Sequence, residues 1–252
     1  MNGSICLNAD LGELPGRAGR DLDAALLALV SRCNIACGGH AGDPESMAAT
    51  VDAAARRDVG IGAHPSYPDR AGFGRQSMAI SRSALADSLS AQVTALVSIA
   101  TAQGSRVRHL KPHGALYNDA AADPALAMLV ARLAIDARIG ELLGPPRSAL
   151  AEAAAHTGLR FVAEGFADRA YQADGGLAPR NLPGAVLGRP AALIAQALQI
   201  VRTHTVTART GELLELHVQT LCLHGDTPAA LSLARALRDA LDQAGIAVRA
   251  GE

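Results

Sequence analysis

The sequence predicts a closed parallel α/β barrel of seven strands, and three observations carry that reading. Short apolar segments alternate with alanine-rich helical segments along the whole chain, as in a parallel sheet covered by helices. Seven strands can be counted. Ionisable residues follow six of them: Asp10 and Glu13 after the first, His40 after the second, His64 after the third, Lys111 and His113 at the end of the fourth, Glu164 at the end of the sixth, His224 and Asp226 after the seventh. In a closed barrel the carboxyl ends of all strands share one rim, where active sites form. An open doubly wound sheet gathers ligands only near a switch point, so polar groups on six strands favour closure.

The elements follow in order. Ile5 to Asn8 reads as strand one, and Asp21 to Ser31 as a helix with apolar Leu22, Leu26, Leu29 and Val30. Asn34 to Cys37 is strand two; its helix opens at Pro44, a residue suited to the first helical turn, and reaches about Asp58. Val59 to Ala63 is strand three, followed by a loop with Pro65, Pro68, Gly72 and Gly74 and a helix from Ser83 to Gln103. Val107 to Leu110 is strand four, with a helix from Pro124 to Ala137. Ile139 to Leu143 is strand five, Ser148 to His156 a helix, and Arg160 to Ala163 strand six. A Gly- and Pro-bearing loop, Asp174 to Pro190, leads to the helix Ala191 to Thr203 and a hairpin-like insertion, Thr205 to Leu216. Thr220 to Leu223 is strand seven and Pro228 to Ala244 the closing helix. With no linker-like segment, one domain spanning 1–252 is expected.

Composition removes several function classes. A net charge of −1 without a basic run gives no electrostatic footprint for nucleic acid. Six aromatic residues argue against base stacking or a long sugar-binding cleft. No uninterrupted apolar run approaches the roughly 20 residues that span a bilayer, and the start lacks the pattern of a signal peptide. Cys6, Cys33, Cys37 and Cys222 form neither a disulfide framework nor a CxxC pair. A cytoplasmic location is expected.

One residue stands out. Of the 23 basic residues, 22 are Arg and one is Lys111. A compact ammonium has properties that a planar guanidinium lacks, so Lys111, beside His113 at a strand end, reads as functional. Asp10 and Asp226 also suit helix caps or turns. Cys37 reads as a core thiol, and His109, His156, His204 and His217 as ordinary loop histidines. No Walker A loop, GxGxxG, GxSxG or HExxH is present. Asp10, His40 and His64 form a chemically sensible metal trio, which sequence spacing alone does not test.

The strings LNADLGE (7–13), NIACGGHAGDP (34–44), GIGAHPSYPDRAGFGR (60–75), LKPHGALYN (110–118), EGFADRAY (164–171) and LCLHGD (221–226) resemble the LamB/YcsF family, in order and over nearly the full length. Departures are Ala9 in place of a frequent Cys, Gly39 in place of an aromatic, and Leu14-Pro15-Gly16 in place of a Gly-Phe-Gly-like turn. The resemblance implies a TIM-like barrel of the glycoside hydrolase/deacetylase type. It also implies cleavage of the lactam of 5-oxo-L-proline to L-glutamate with ATP as co-substrate, acting with two partner subunits, B and C. A lactam carbonyl is a poor electrophile; phosphorylating its oxygen would open the carbon to water. Such a site needs cations for the phosphate, a base for the water and an acid for the ring nitrogen. The expected assignments are Lys111 steadying phosphate or oxyanion, and Asn8, Arg169, Arg180 and Asp226 binding substrate. His64 or His113 activates water, oriented by Asp10, Glu13 or Glu164, while His40 and His224 complete the rim. Lys111→Ala is expected to remove activity without unfolding the protein. A divalent metal stays open. Two alternatives remain: a metal-dependent deacetylase or amidohydrolase acting alone, and a non-catalytic substrate-binding subunit.

Overall fold

The computed structural model describes residues 3–224 and 229–250; Asp226 and the start of the expected closing helix at Pro228 lie outside them. Seven strands form the barrel: β1 (Ser4–Leu11), β2 (Arg32–Ala36), β3 (Gly60–His64), β4 (His109–Leu110), β5 (Glu141–Gly144), β6 (Arg160–Phe166) and, after a two-stranded hairpin of β7 (Thr205–Thr207) and β8 (Leu213–Glu215), β9 (Thr220–His224). Each pairs in parallel with the next, and β9 pairs with β1 from Cys6–Thr220 to Asp10–His224, which closes the cylinder. A short β10 (Ala247–Val248) adds to the lower end of β1. The hairpin expected between 205 and 216 is present as the antiparallel β7–β8 pair.

The helices are α1 (Gly16–Leu27), α2 (Pro44–Ala55), α3 (Arg82–Ala102), α4 (Gly114–Ala122), α5 (Pro124–Asp136), α6 (Ala149–Thr157), α7 (Pro190–Thr203) and α8 (Ala230–Gln243). Their starts follow local chemistry. Asp43 caps α2 in a capping box with Ser46, with Pro44 in the first turn, and Asp123 caps α5 ahead of Pro124. Among the described residues α3 is the one helix long and apolar enough to cross a membrane by length and composition. Here it lays Leu85, Leu89, Val93 and Leu96 into the core.

Strand alternation sorts the side chains. Leu7, Ala9 and Leu11 of β1 join the apolar core shared with the helices, where each fully buried Leu contributes roughly 1.5–3 kcal/mol. Asn8 and Asp10 turn into the lumen, which is polar. Its base is an ion pair of Arg32 with Glu141. Above it His109 Nε2 donates to Asn34 Oδ1 at 2.8 Å, and Asn34 Nδ2 donates to Asn8 Oδ1 and Asp10 Oδ1 at 2.7 Å each. Gly62 makes room for this layer: a Cβ there would stand 2.0 Å from His109 Nε2.

The structure revises several sequence boundaries. Strand one runs on to Leu11, so Asp10 belongs to the strand rather than to the loop after it. The first helix begins at Gly16 and ends at Leu27. Strand four shrinks to two residues, and α4 and β10 have no counterpart among the expected elements. His109, read as a loop residue, is a fully buried lumen residue.

Candidate active site

The rim holds two neighbouring sets of groups. The first centres on Lys111, which is 2% exposed. Its Nζ lies 3.0 Å from Asp10 Oδ1, 3.0 Å from Glu164 Oε1 and 3.0 Å from Cys222 Sγ. Burial alone would drive the ammonium pKa down, but the charge of Asp10, with Cys222 and Glu164, holds it well above the ordinary lysine range. Burial raises Asp10 in turn, yet His64 and Lys111 outweigh it and keep the carboxyl well below its usual range. Beneath this triad Asn8 Nδ2 donates to Glu164 Oε1 at 2.9 Å and to Thr220 Oγ1 at 2.8 Å. Asn8, expected to touch substrate, is therefore fully buried below the carboxylates it positions.

The second set is Glu13, His40, His64 and His113, one donor atom of each lying within 4.8 Å of the others. Tautomers can be read from the bonds. His64 Nδ1 sits 2.8 Å from the Lys111 carbonyl and must donate to it; His113 Nε2 sits 2.9 Å from the Phe73 carbonyl and must do likewise. Their remaining nitrogens, His64 Nε2 and His113 Nδ1, then face each other at 3.0 Å. Two lone pairs cannot meet at that distance without a proton or a cation between them. His40 stacks on His113 with ring centroids 3.6 Å apart and approaches Glu13 Oε1 at 3.1 Å, while its Nδ1 is buried without a hydrogen-bond partner. Burial, followed by the nearby His64, lowers His40 to about 2 and pushes His113 far below the ordinary imidazole range. Imidazoles with a carboxylate are the donor set of a divalent transition metal, and the carbonyl bonds fix the ring orientations as second partners of ligating histidines do. Asp10, Cys222 and His224 also converge, but the Lys111 ammonium already contacts two of the three.

Both sets border a cavity of about 570 Å³ lined by Asp10, His64, Lys111 and His113. Its other charged lining among the described residues is Arg75, Arg169, Arg180 and His224, which makes four permanent cations to one carboxylate there. Arg169 is buried, donates to the carbonyls of Ala178 and Ala185, and is lowered to about 10, first by burial and then by Arg180. The structure thus brings nine of the expected residues to this cavity or directly behind it: Asp10, Glu13, His40, His64, Lys111, His113, His224, Arg169 and Arg180. Glu164 reaches the triad from the side. Asp226 lies outside the described residues.

Sequence reasoning passed over Asp168. Its carboxylate receives His224 Nδ1 at 2.8 Å and the His224 backbone N–H at 3.2 Å, which leaves His224 Nε2 as the ring's free edge. The His224 ring also stacks on Phe166. Asp168 stands four residues after Glu164 in the EGFADRAY string, but its partner is 56 residues away. The Gly39 departure also has an explanation: a Cβ there would meet Gln92 Oε1 and Ser66 Oγ at 2.4 Å each. The Gln92 side chain fills that space and bonds the Ser66 backbone at 3.0 and 2.9 Å.

Comparison with known proteins agrees with this architecture. The A subunit of a 5-oxoprolinase from Methylococcus capsulatus is 49% identical over 252 residues, covering 99% of this chain and 96% of the relative. Its counterpart from Heliobacterium modesticaldum is 45% identical over 249 residues, covering 98% of each. The crystal structure of a lactam utilization protein from Thermus thermophilus superposes with a TM-score of 0.88 at 38% identity, covering 98% of this chain and all of the other. The LamB/YcsF family model matches residues 5–252, and the chain belongs to the LamB/YcsF family.

Proposed function

We propose that this chain is the lactam-opening subunit of a 5-oxoprolinase, converting 5-oxo-L-proline to L-glutamate. ATP is the co-substrate of the assembled enzyme, bound with the help of partner subunits B and C; the relatives' naming as A subunits supports the existence of further subunits. The observation that carries the reading is the seating of one buried ammonium, Lys111, between two carboxylates beside the facing nitrogens of His64 and His113.

The chemistry follows from those positions. The Lys111 ammonium stabilises negative charge as it grows on the lactam oxygen, in a buried setting where such an interaction is strong. Asp10, held ionised, accepts a proton from the attacking water. His224, oriented by Asp168, delivers a proton to the ring nitrogen. Arg169 and Arg180 take the substrate carboxylate. Glu13, His40, His64 and His113 would hold a divalent cation, which supplies Lewis-acid polarisation of the amide carbonyl when bound.

The test is glutamate release from 5-oxoproline by the purified chain, alone and with subunits B and C, with and without ATP. Release that needs all three chains and ATP supports the proposal. ATP-independent hydrolysis of acetylated substrates by this chain alone, with no 5-oxoproline turnover in the full mixture, would replace it with a deacetylase.

A further inference from the structure

A second cavity, about 770 Å³, adjoins the first and shares Tyr117, Phe166 and Leu177 with it. Its lining among the described residues includes Glu164, Asp174, Glu215 and Arg147. Lys111 thus has a carboxylate of either cavity at 3.0 Å: Asp10 lines the first and Glu164 the second. The buried Tyr117 hydroxyl bonds Glu164 from the far side. Beneath Lys111 lies a layer of amides whose directions follow from charge. Asp10 and Glu164, as carboxylates, only accept, and the Lys111 ammonium only donates. Asn8 therefore turns Nδ2 to Glu164 Oε1, at 2.9 Å, and Oδ1 to Lys111 Nζ, at 3.4 Å. Asn34 donates its two Nδ2 hydrogens to Asn8 Oδ1 and Asp10 Oδ1, 2.7 Å each. Its Oδ1 is left to accept, and the group that meets it is His109 Nε2 at 2.8 Å.

A neutral imidazole carries its proton on either nitrogen, and here the amide decides: Nε2 holds the proton and donates to Asn34. Burial, then the charge of Arg32, keeps the ring neutral. The ring fits because Gly62 leaves the space. A Cβ there would stand 2.0 Å from Nε2, and Gly62 has no positive φ that would otherwise call for glycine.

We infer that His109 is a positioning residue for lactam opening: its Nε2–H fixes the Asn34 amide, which with Lys111 holds Asp10 Oδ1 and leaves Oδ2 to take the proton of the attacking water. The inference rests on the lactam-opening reading. In that step the water oxygen bonds the acyl carbon, one water proton passes to Asp10 Oδ2, and the C–N bond breaks as the ring nitrogen takes the proton His224 delivers. Asp10 Oδ1 receives Asn34 at 2.7 Å and Lys111 at 3.0 Å, whereas Oδ2 stands 3.4 Å from His64 Nε2. Without the His109 donor the amide can turn over and bring its oxygen against Asp10 Oδ1, setting two acceptors at hydrogen-bond distance. Asp10 is then displaced or protonated, and the base is lost. His109 does not line the cavity; it acts through Asn34.

The test is steady-state kinetics on 5-oxoproline with subunits B, C and ATP, for His109→Phe, His109→Gln, Asn34→Ala and the double variant of His109→Phe with Asn34→Ala. His109→Phe keeps a ring and removes the donor; kcat should fall about 10- to 100-fold, as for loss of an orienting partner, with KM within about twofold. His109→Gln, whose amide N–H lies as many bonds from the backbone as Nε2–H, should recover most of the lost kcat. Asn34→Ala should lower kcat as much, and adding His109→Phe to it should change kcat by less than about twofold, because the two act as one unit. A buried histidine with only a structural role would lower stability and leave kcat of the folded chain unchanged. Unchanged kcat in His109→Phe overturns the inference, and so does a full multiplicative loss in the double variant. Should His109→Phe fail to fold, nitrogen NMR of the wild-type imidazole decides: Nε2–H supports the inference, and Nδ1–H or an imidazolium overturns it. A wild-type chain that turns over no 5-oxoproline with partners and ATP sinks the lactam reading, and the same spectrum still decides the orientation of Asn34.

Discussion

The two cavities differ in one respect that matters more than their size. They share a wall of Tyr117, Phe166 and Leu177, yet Arg75, Lys111, Arg169 and Arg180 face Asp10 in one, while Glu164, Asp174 and Glu215 face Arg147 in the other. Lys111 and Glu164 meet at 3.0 Å where the two regions join.

The largest break in that contrast is Lys111→Ala. Loss of the one ammonium should cut 5-oxoproline turnover by about a thousandfold. It also leaves Asp10 and Glu164 buried without the cation they share, so denaturant unfolding should show a loss of about 3–5 kcal/mol. The same measurement tests the sequence-based expectation that activity is lost without unfolding. Next, Arg180→Met should raise KM for the lactam about tenfold with a smaller change in kcat, through loss of a charge-assisted contact to the substrate carboxylate. Steady-state kinetics with the partner subunits separates the two parameters.

Asp168→Asn weakens the hold on His224 without touching the metal-type donors. Turnover should fall about 10- to 100-fold, as for loss of an orienting partner, with an altered pH–rate profile and unchanged metal content.

The smallest effect on activity should come from Asp23, whose carboxylate receives the Gly12 N–H at 2.9 Å below the Glu13 loop. Burial first, then Glu13, lifts its pKa to about 6 against that N–H bond. A carboxyl raised on folding binds its proton more tightly in the native state. Its contribution is therefore fully present below the unfolded value, near 4, and falls as pH rises through 6. Asp23→Asn keeps an acceptor for Gly12, so it should be neutral at pH 4 and stabilising by about 2–3 kcal/mol at pH 7. Unfolding at the two pH values checks this.

Much of the rim was legible in the sequence because parallel strands all end on one side. Asp10, His64, Lys111 and His224 could be aligned from their positions alone, without knowing a single contact. What stayed hidden depends on relations around the cylinder. Asn8 sits on the same face of β1 as Asp10, one layer lower, and only barrel depth shows that it supports rather than touches. His109 lies inside because Gly62, across the strand pair, vacates the space. Asp168 and Tyr117 acquire meaning only through His224 and Glu164, on distant strands. The division of the mouth into oppositely charged cavities likewise depends on loops such as Asp174–Gly176, whose course no local periodicity records.

The central claim, a divalent cation site behind Lys111 that serves lactam opening, is tested most directly by metal analysis paired with turnover. Purified wild-type chain, chelated chain and a His64→Ala, His113→Ala double variant should be measured for bound divalent metal, and each then assayed on 5-oxoproline with subunits B, C and ATP. The expected result is about one ion per chain in the wild type, none in the variant, and turnover that tracks occupancy across all three. Full turnover by the metal-free wild-type chain would contradict it.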